Sequence, residues 1–492
     1  MKALLKRAIL FTVALFTSFL LFSAEETFEK TDIGHLYSYT LDNGLSVFVA
    51  ENHSAPLVYI EIAVRTGSVA QTKENAGLFH LYEHMMFKGN PKYPNAQLMK
   101  RALNDMGCAD SNGITSIDRV NYFVTVPVDQ FENGLEFWSY AIRQPLIDPK
   151  EFEDEKKVVI SEIQGYFGQP SEKRWAYMGK TLFPQAPWSY DPGGSISNIQ
   201  NATIAQLKEI QNKYYIPNNA VLFIGGDVNP EKACELANKI YGDWKADEDP
   251  WEKESLPYAL NPLTTPKYCV LPTDEVSEQL AQIIVTYRGA DADYNLHDSY
   301  VGDVLSKVMQ EPVGAYKKTM LKNKKLQLPD FDYLWAGYDL SRRHGLFSFY
   351  GVVLNPADKL PERTKDFYDT LTKKALPAVM KDKSLESEKK RNMLLQILKD
   401  SNAWERQTAQ NQLSTLSYYW TNSTRDSYFA YEENVKKITK KDADLYIEKY
   451  ILNSNPLITV LVNPAVYEQT KEAFENAGFE EITEKNAFWW AE

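Results

Sequence analysis

The sequence predicts an α+β protein of two homologous halves, each a mixed β-sheet with helices packed on one face. Three observations carry this. Two stretches line up at a constant offset, "TIAQLKEIQNKYYIPNNAVLFIGGDV" from Thr203 to Val228 and "TKKDADLYIEKYILNSNPLITVLVNP" from Thr439 to Pro464, and their signals come in the same order. Between the halves, Lys245 to Pro266 is charged and carries Pro250, Pro257, Pro262 and Pro266, the composition of an inter-domain linker. The chain's 492 residues also exceed the usual size of one domain. Strands dominate the start of each half, helices its middle, and a strand with a helix closes it, the order of a mixed sheet covered by helices. The expected units are residues 25–245 and 267–492, joined by a linker over 246–266.

Taken in order, the elements begin with a targeting pattern. Lys2, Lys6 and Arg7 precede an uncharged apolar run from Ala8 to Phe22, followed by Ser23-Ala24-Glu25-Glu26. This reads as a secretory signal peptide over 1–24, with an uncleaved anchor as the alternative. An exported protein follows, in the periplasm or cell envelope if the source is bacterial. No later stretch is apolar enough for a membrane span. A net charge of -12 with no basic stretch argues against a nucleic-acid partner. Cys108, Cys234 and Cys269 are an odd, sparse set without a C-x-x-C pair, so buried free thiols are expected rather than disulfides.

"IEIAVRTGS" (60–68) and "QIIVTYRGA" (282–290) read as equivalent strands, each preceding a helical stretch. In the two offset segments, Thr203 and Thr439 are suited to cap a helix that ends at Tyr214 or Tyr450. A turn rich in Asn and Pro then leads to a short apolar strand, Val221–Ile224 or Leu457–Val462.

"GLFHLYEHMMFKG" (77–89) places His80 and His84 one helical turn apart with Glu83 beside them. The stretch Glu74–Gly89 contains no proline, and Gly89 can end a helix. On a helix these three side chains share one side, so the imidazoles can chelate one ion, which suits zinc. Glu83 can then take a proton from water that the ion acidifies. Two solvated or core histidines are the alternative, because two ligands do not make a zinc site. "EFEDEKKVVISEIQGYF" (151–167) has a helical apolar face of Phe152, Val158, Val159 and Ile163, with Glu155 and Glu162 seven apart on one side. By itself it reads as a charged surface helix.

His-x-x-Glu-His inverts the order of the common zincin motif. With it, the chain resembles the pitrilysin or insulinase family of zinc peptidases, in the shorter branch with two homologous halves that includes mitochondrial processing peptidase and bacterial homologues. In that family the third ligand is a Glu some seventy-odd residues after the second His, with another Glu seven before it. Glu162 and Glu155 occupy those positions. The resemblance therefore implies one zinc ion (Zn2+) per chain on His80, His84 and Glu162, Glu83 as general base and Glu155 as a supporting carboxylate. "YTLDNGLSVFVAENHSAPLV" (39–58) and "YYIPNNAVLFIGGDVNPE" (214–231) also look like family segments. "DSNGITSIDRVNYFVTVP" (110–127) resembles the family's Asn-Ala-x-Thr strand, with Gly113 in place of Ala. In relatives that strand pairs with an extended substrate, which makes Asn112 a candidate substrate contact or, alternatively, a turn residue.

One part departs from the family pattern. Active relatives bring an Arg and a Tyr, seven apart, from the second half to the scissile carbonyl. Here Lys322 stands near the expected Arg and Pro329 seven later; a short insertion moves the Tyr to Tyr333, with Tyr338 next. Lys is a poor substitute where forked hydrogen bonding is needed. Lys322 and Tyr333 can serve, Arg342 or Arg343 can reach in, or a partner chain can supply the pair, as in heterodimeric relatives.

The expectation is an exported zinc metalloendopeptidase acting on peptides or unfolded segments, its halves forming a clamshell. A homodimer or heterodimer with a related chain is the expected assembly. The alternatives are a non-catalytic core subunit of the same fold, and a dedicated precursor-processing peptidase that needs a partner.

Overall fold

The computed structural model describes residues 29–31, 33–252, 261–383 and 386–490. The expected signal peptide over 1–24 and the middle of the linker lie outside the described residues. The first sheet contains Glu29–Lys30 (β1), Leu36–Thr40 (β2), Ser46–Glu51 (β3), Leu57–Val64 (β4), Asp110–Thr115 (β5), Val120–Pro127 (β6) and Ala220–Gly226 (β7), in the order β1-β2-β3-β7-β4-β6-β5. The second contains Lys267–Pro272 (β8), Leu280–Arg288 (β9), Leu334–Asp339 (β10), Leu346–Leu354 (β11), Leu457–Val462 (β12) and Glu480–Glu481 (β13), in the order β10-β11-β9-β12-β8-β13.

The two sheets repeat one topology. β3 runs parallel to β7, which is antiparallel to β4; β4, β6 and β5 continue antiparallel. In the same chain order, β8 runs parallel to β12, followed by antiparallel β9, β11 and β10. Both sheets are mixed, as the sequence predicts.

On one face of the first sheet, Val58, Ile60, Ile62 and Val64 pack under helices that contribute Leu78, Tyr82, Trp138, Phe152 and Val159. The helices of this half include Leu78–Met85 (α1), Pro149–Phe167 (α2) and Pro170–Leu182 (α3). The opposite faces are covered by an exchange between halves. Helix Ala409–Asn422 (α4), from the second half, lays Ala409, Leu413 and Leu416 on Phe48, Tyr59, Ala63 and Phe223 of the first sheet. Its approach is close enough that a Cβ on Gly225 would stand 2.6 Å from Leu413 Cδ1. Conversely α3 places Ala176, Tyr177, Met178 and Leu182 against Cys269, Leu271, Ile284, Leu457 and Leu461 of the second sheet.

The exchange also buries a charge. Glu61, on β4, accepts hydrogen bonds from Tyr59 (2.6 Å), Asn121 (3.1 Å) and, across the halves, Ser417 (2.6 Å). Arg119 donates to Ser417 at 2.7 Å. A buried carboxylate is tolerated because its oxygens are used this fully. All three cysteines are free, Cys234 and Cys269 buried; Cys108 is only half-buried, at the approach to edge strand β5. Among the described residues, no helix is long and apolar enough to cross a membrane.

Candidate metal centre

Helix α1 is shorter than the Glu74–Gly89 stretch permits. Gly77 stands in the left-handed region (φ 95°, ψ -14°) and delays the start to Leu78. It is also held by close packing, since a Cβ there would lie 2.5 Å from the Gly193 carbonyl oxygen. The buried side of α1 presents Leu78, Leu81, Tyr82 and Met85 to the core, leaving His80, Glu83 and His84 toward α2 and β5. Helix α2 starts firmly: Pro149 occupies its first turn, and the Asp148 side chain accepts from the amides of Lys150 and Glu151.

These two helices bring three ligand atoms together. His80 Nε2 lies 3.1 Å from His84 Nε2 and 3.8 Å from Glu162 Oε2, and His84 Nε2 lies 3.4 Å from Glu162 Oε2. A tetrahedral zinc at about 2.0–2.2 Å from each ligand separates ligands by roughly 3.3–3.6 Å. The triangle and its two imidazoles plus one carboxylate therefore fit zinc. Burial, with the neighbouring His84, pushes His80 down to about 3, so its ring is the neutral form that ligates a metal. Burial also pulls on His84, but its bond to Glu155 and the carboxylates of Glu83 and Glu162 outweigh this and hold it above the ordinary value.

Glu155 lies behind His84. Its Oε1 meets His84 Nδ1 at 2.8 Å, and its Oε2 is ion-paired with Lys88, one turn beyond His84 on the same chain. This leaves His84 Nε2 directed at Glu162 and His80. Glu155 is itself buried, yet the hydrogen bonds from His84 and Lys88 bring it below the usual carboxylate range. Glu83 is 7% exposed and accepts from Thr115 Oγ1 at 2.9 Å. Burial raises its carboxyl, against His84 and the Thr115 bond, which makes it a better proton acceptor.

The cleft of about 500 Å³ around these groups is walled by β5 and α2, with Asn112, Thr115, Phe87 and Tyr166 on its lining. β5 ends the sheet order, so among the described residues one side of it carries no strand. Asn112 is exposed there, and its side chain accepts from the Gly113 amide at 3.0 Å. Gly113 leaves room that Ala would fill, since a Cβ would lie 2.7 Å from Glu83 Oε1.

The structure thus gathers His80, His84, Glu162, Glu83, Glu155 and Asn112 around one cleft. It does not bring Lys322 or Tyr333 there. Lys322 ends the helix Ala315–Lys322, and Tyr333 lies just before β10; every residue lining the cleft comes from the first half. Arg342 donates to the Thr421 and Trp420 carbonyls and pairs with Asp293, as does Arg343, so neither extends into the cleft. Tyr338 donates to the Ala290 carbonyl. Sequence reasoning missed Lys88, Thr115 and Tyr166. Lys88 and Tyr166 follow His84 and Glu162 by one turn, a helical spacing that marks both as neighbours of the site.

The protein is thus a doubled mixed sheet whose first half alone holds a His-x-x-Glu-His helix facing a second carboxylate helix, the layout expected of the insulinase family. The comparisons agree. Residues 46–186 match the family Insulinase (Peptidase family M16), and residues 201–392 match the family's Peptidase M16 inactive domain. The chain belongs to the insulinase family. It is 28% identical over 224 residues to the zinc protease PqqE of Helicobacter pylori, covering 44% of this chain and 50% of that one. It is 26% identical over 206 residues to the mitochondrial-processing peptidase subunit beta of Dictyostelium discoideum, covering 42% and 44%. The matches thus span about half the length of these curated relatives or less. In fold it is similar to a protease from Helicobacter pylori (TM-score 0.71, 20% identity, 89% of this chain and 100% of that one). It is likewise similar to the periplasmic protease PqqL of Escherichia coli (TM-score 0.69, 16% identity, 91% and 50%).

Proposed function

We propose that the protein is a zinc endopeptidase that hydrolyses peptides or unfolded polypeptide segments. The observation that carries this reading is the triangle of His80, His84 and Glu162 with Glu83 beside it. Zinc held there supplies Lewis acidity to water and to the scissile carbonyl. Glu83, buried and raised, accepts the proton of the attacking water and returns it to the departing amine. Thr115 fixes the Glu83 carboxylate, while Glu155 and Lys88 fix the His84 ring. An extended substrate pairs with the open side of β5 past Asn112.

The basic, apolar pattern at the N-terminus and the likeness to periplasmic PqqL support export to a periplasm or cell envelope. Because Lys322 and Tyr333 lie outside the cleft, the reading includes a second chain, either another copy or a related subunit, that presents such a pair to it.

Stoichiometric zinc in the purified protein and cleavage of a quenched fluorescent peptide test this directly. Glu83→Gln is expected to keep the metal and lose about 10²–10⁴-fold in kcat. Undiminished cleavage by that variant, or protein purified without metal, would sink the proposal.

A further inference from the structure

The helix Glu388–Glu405, in the second half, packs on the core by one side. Leu394 and Leu398 are buried there, in a depression shared with Val304, Val435 and Ile438. Roughly a quarter-turn around the helix the burial ends while the apolar residues continue. Met393 and Ile397 are 44% and 46% exposed, and Trp404 is 70% exposed. At 3.6 residues per turn these three fall within about 40° of one another, along roughly 16 Å of helix. Single exposed apolar residues are ordinary, but three aligned on one stripe mark a contact surface.

Charge is gathered in the same region. The chain carries a net -12, yet residues 381–441 contain twelve Lys or Arg against eight Asp or Glu. The fold brings the two ends of this stretch together beside the helix. Lys440 donates to the Met380 carbonyl at 2.6 Å, and Arg391 and Lys436 line the same depression as Leu394. Glu432 and Glu433 are paired with Lys399 and Lys436. Lys381, Lys383, Lys389, Arg391, Lys437 and Lys441 are exposed. On the helical wheel Lys389 and Lys390 flank the stripe at its N-terminal end, within about 60° of its centre.

We propose that this face docks on the anionic surface of a lipid bilayer, with Met393, Ile397 and Trp404 entering the headgroup boundary and the surrounding cations meeting lipid phosphates. A helix that lies in a bilayer's interface joins an apolar stripe to Lys and Arg at its border, and an indole is well suited to that depth. Lys stems can follow the apolar surface while their ammonium groups stay at the phosphates. A basic cluster on an otherwise acidic chain is drawn to an anionic leaflet and turns the acidic remainder away from it. A second copy is the weaker occupant, because a two-fold contact of this face with itself sets like charges against each other. The expected export of the chain would bring it beside such a surface, and the docking does not depend on the metal chemistry.

Hydrogen exchange read by mass spectrometry on peptides covering residues 388–405 tests this in the full chain. The readout is local, so entry of the apolar run Ala8–Phe22 into the same vesicles does not register in these peptides. With vesicles of phosphatidylcholine and phosphatidylglycerol at low salt, exchange is expected to slow about fivefold or more. With phosphatidylcholine alone it should change less than about twofold, and at roughly 0.5 M salt the protection should largely disappear.

The triple variant Met393→Gln, Ile397→Gln, Trp404→Gln changes only exposed positions and keeps good helix formers, so its Tm should match the wild type while the protection is lost. Lys381→Gln, Lys389→Gln and Arg391→Gln together should remove most of it as well. Protection that the triple variant retains, that uncharged vesicles give equally, or that never appears overturns the proposal. So does protection that grows with protein concentration in the absence of vesicles, the behaviour of a face that binds a second copy.

Discussion

Lys88 shows how much of the candidate site depends on residues that never touch the metal. Its ammonium and the His84 ring take the two oxygens of one buried carboxylate, Glu155. Without the cation, Glu155 keeps its burial and loses half its compensation, so the His84 ring is held less firmly toward Glu162. Lys88→Met is expected to lower zinc affinity about tenfold, within the 10–100-fold range typical of partners behind a ligand. Lys88→Arg, which retains the charge, should recover most of it. Competition against a chromophoric chelator at fixed pH measures both, and equal affinities in all three proteins would remove Lys88 from the site. Part of the candidate ligand set was legible in the sequence. His80, Glu83 and His84 stand at helical spacing, but Glu162 became a candidate ligand only through the family resemblance, because its own segment reads as an ordinary charged helix. Thr115 was not legible as a site residue, since its contact with Glu83 runs from a strand to a helix and leaves no local pattern.

At the scale of elements, the start of α1 is set by the loop after α3. Gly194 leaves no room for a side chain: a Cβ there would sit 2.2 Å from Gly77 Cα. Asp191 shapes this loop through its bond to the Gly193 amide, and burial pushes its carboxyl up to about 6 from 3.8. A raised folded pKa means that the group's contribution is fully present below about pH 3.8 and is lost as pH rises through about 6. At neutral pH the charge therefore costs stability, at most about 3 kcal/mol at roughly 1.4 kcal/mol per pKa unit. Asp191→Asn keeps the acceptor and removes the charge. Its Tm is expected to match the wild type near pH 4 and exceed it increasingly toward pH 7.5; a gap that stays constant with pH would show that Asp191 is not strained by its ionisation. The strand repeat shows a different limit of sequence reading. Written one above the other, "IEIAVRTGS" and "QIIVTYRGA" set Ile60 against Gln282. The sheets instead pair Ile60 with Ile224 and Ile283 with Val460, so Ile60 corresponds to Ile283. Both strands are buried on both faces along most of their length, so hydrophobic alternation cannot fix the register between them.

At the scale of the whole molecule, the two halves predicted from the repeat are joined by more than the linker. The exchange of α3 and α4 gives each sheet a covering helix from the opposite half, and Ser417 of α4 adds a hydrogen bond to buried Glu61. Nothing local in "AQNQLSTLSYYWTN" distinguishes a helix on its own sheet from one on the neighbouring sheet. Tyr333 lies at the start of β10, whereas the other end of that strand leads to His344 and its contact with Asp118 in the first half. Six residues of strand carry the chain about 20 Å away from that contact. Neither Lys322 nor Tyr333 lines the cleft of its own chain, and the proposal that another copy uses them is open to test. Subunit mixing distinguishes the two cases. Glu83→Gln retains Lys322 and Tyr333, and the double variant Lys322→Ala, Tyr333→Phe retains the zinc site; each is expected to be nearly inactive alone. Unfolded together and refolded as a mixture, half of the dimers would be mixed, each with one complete site of two, giving about one quarter of wild-type activity if the pair acts across a two-fold interface. No recovery on mixing would place the pair in cis, and full activity of the double variant would remove it from the reaction.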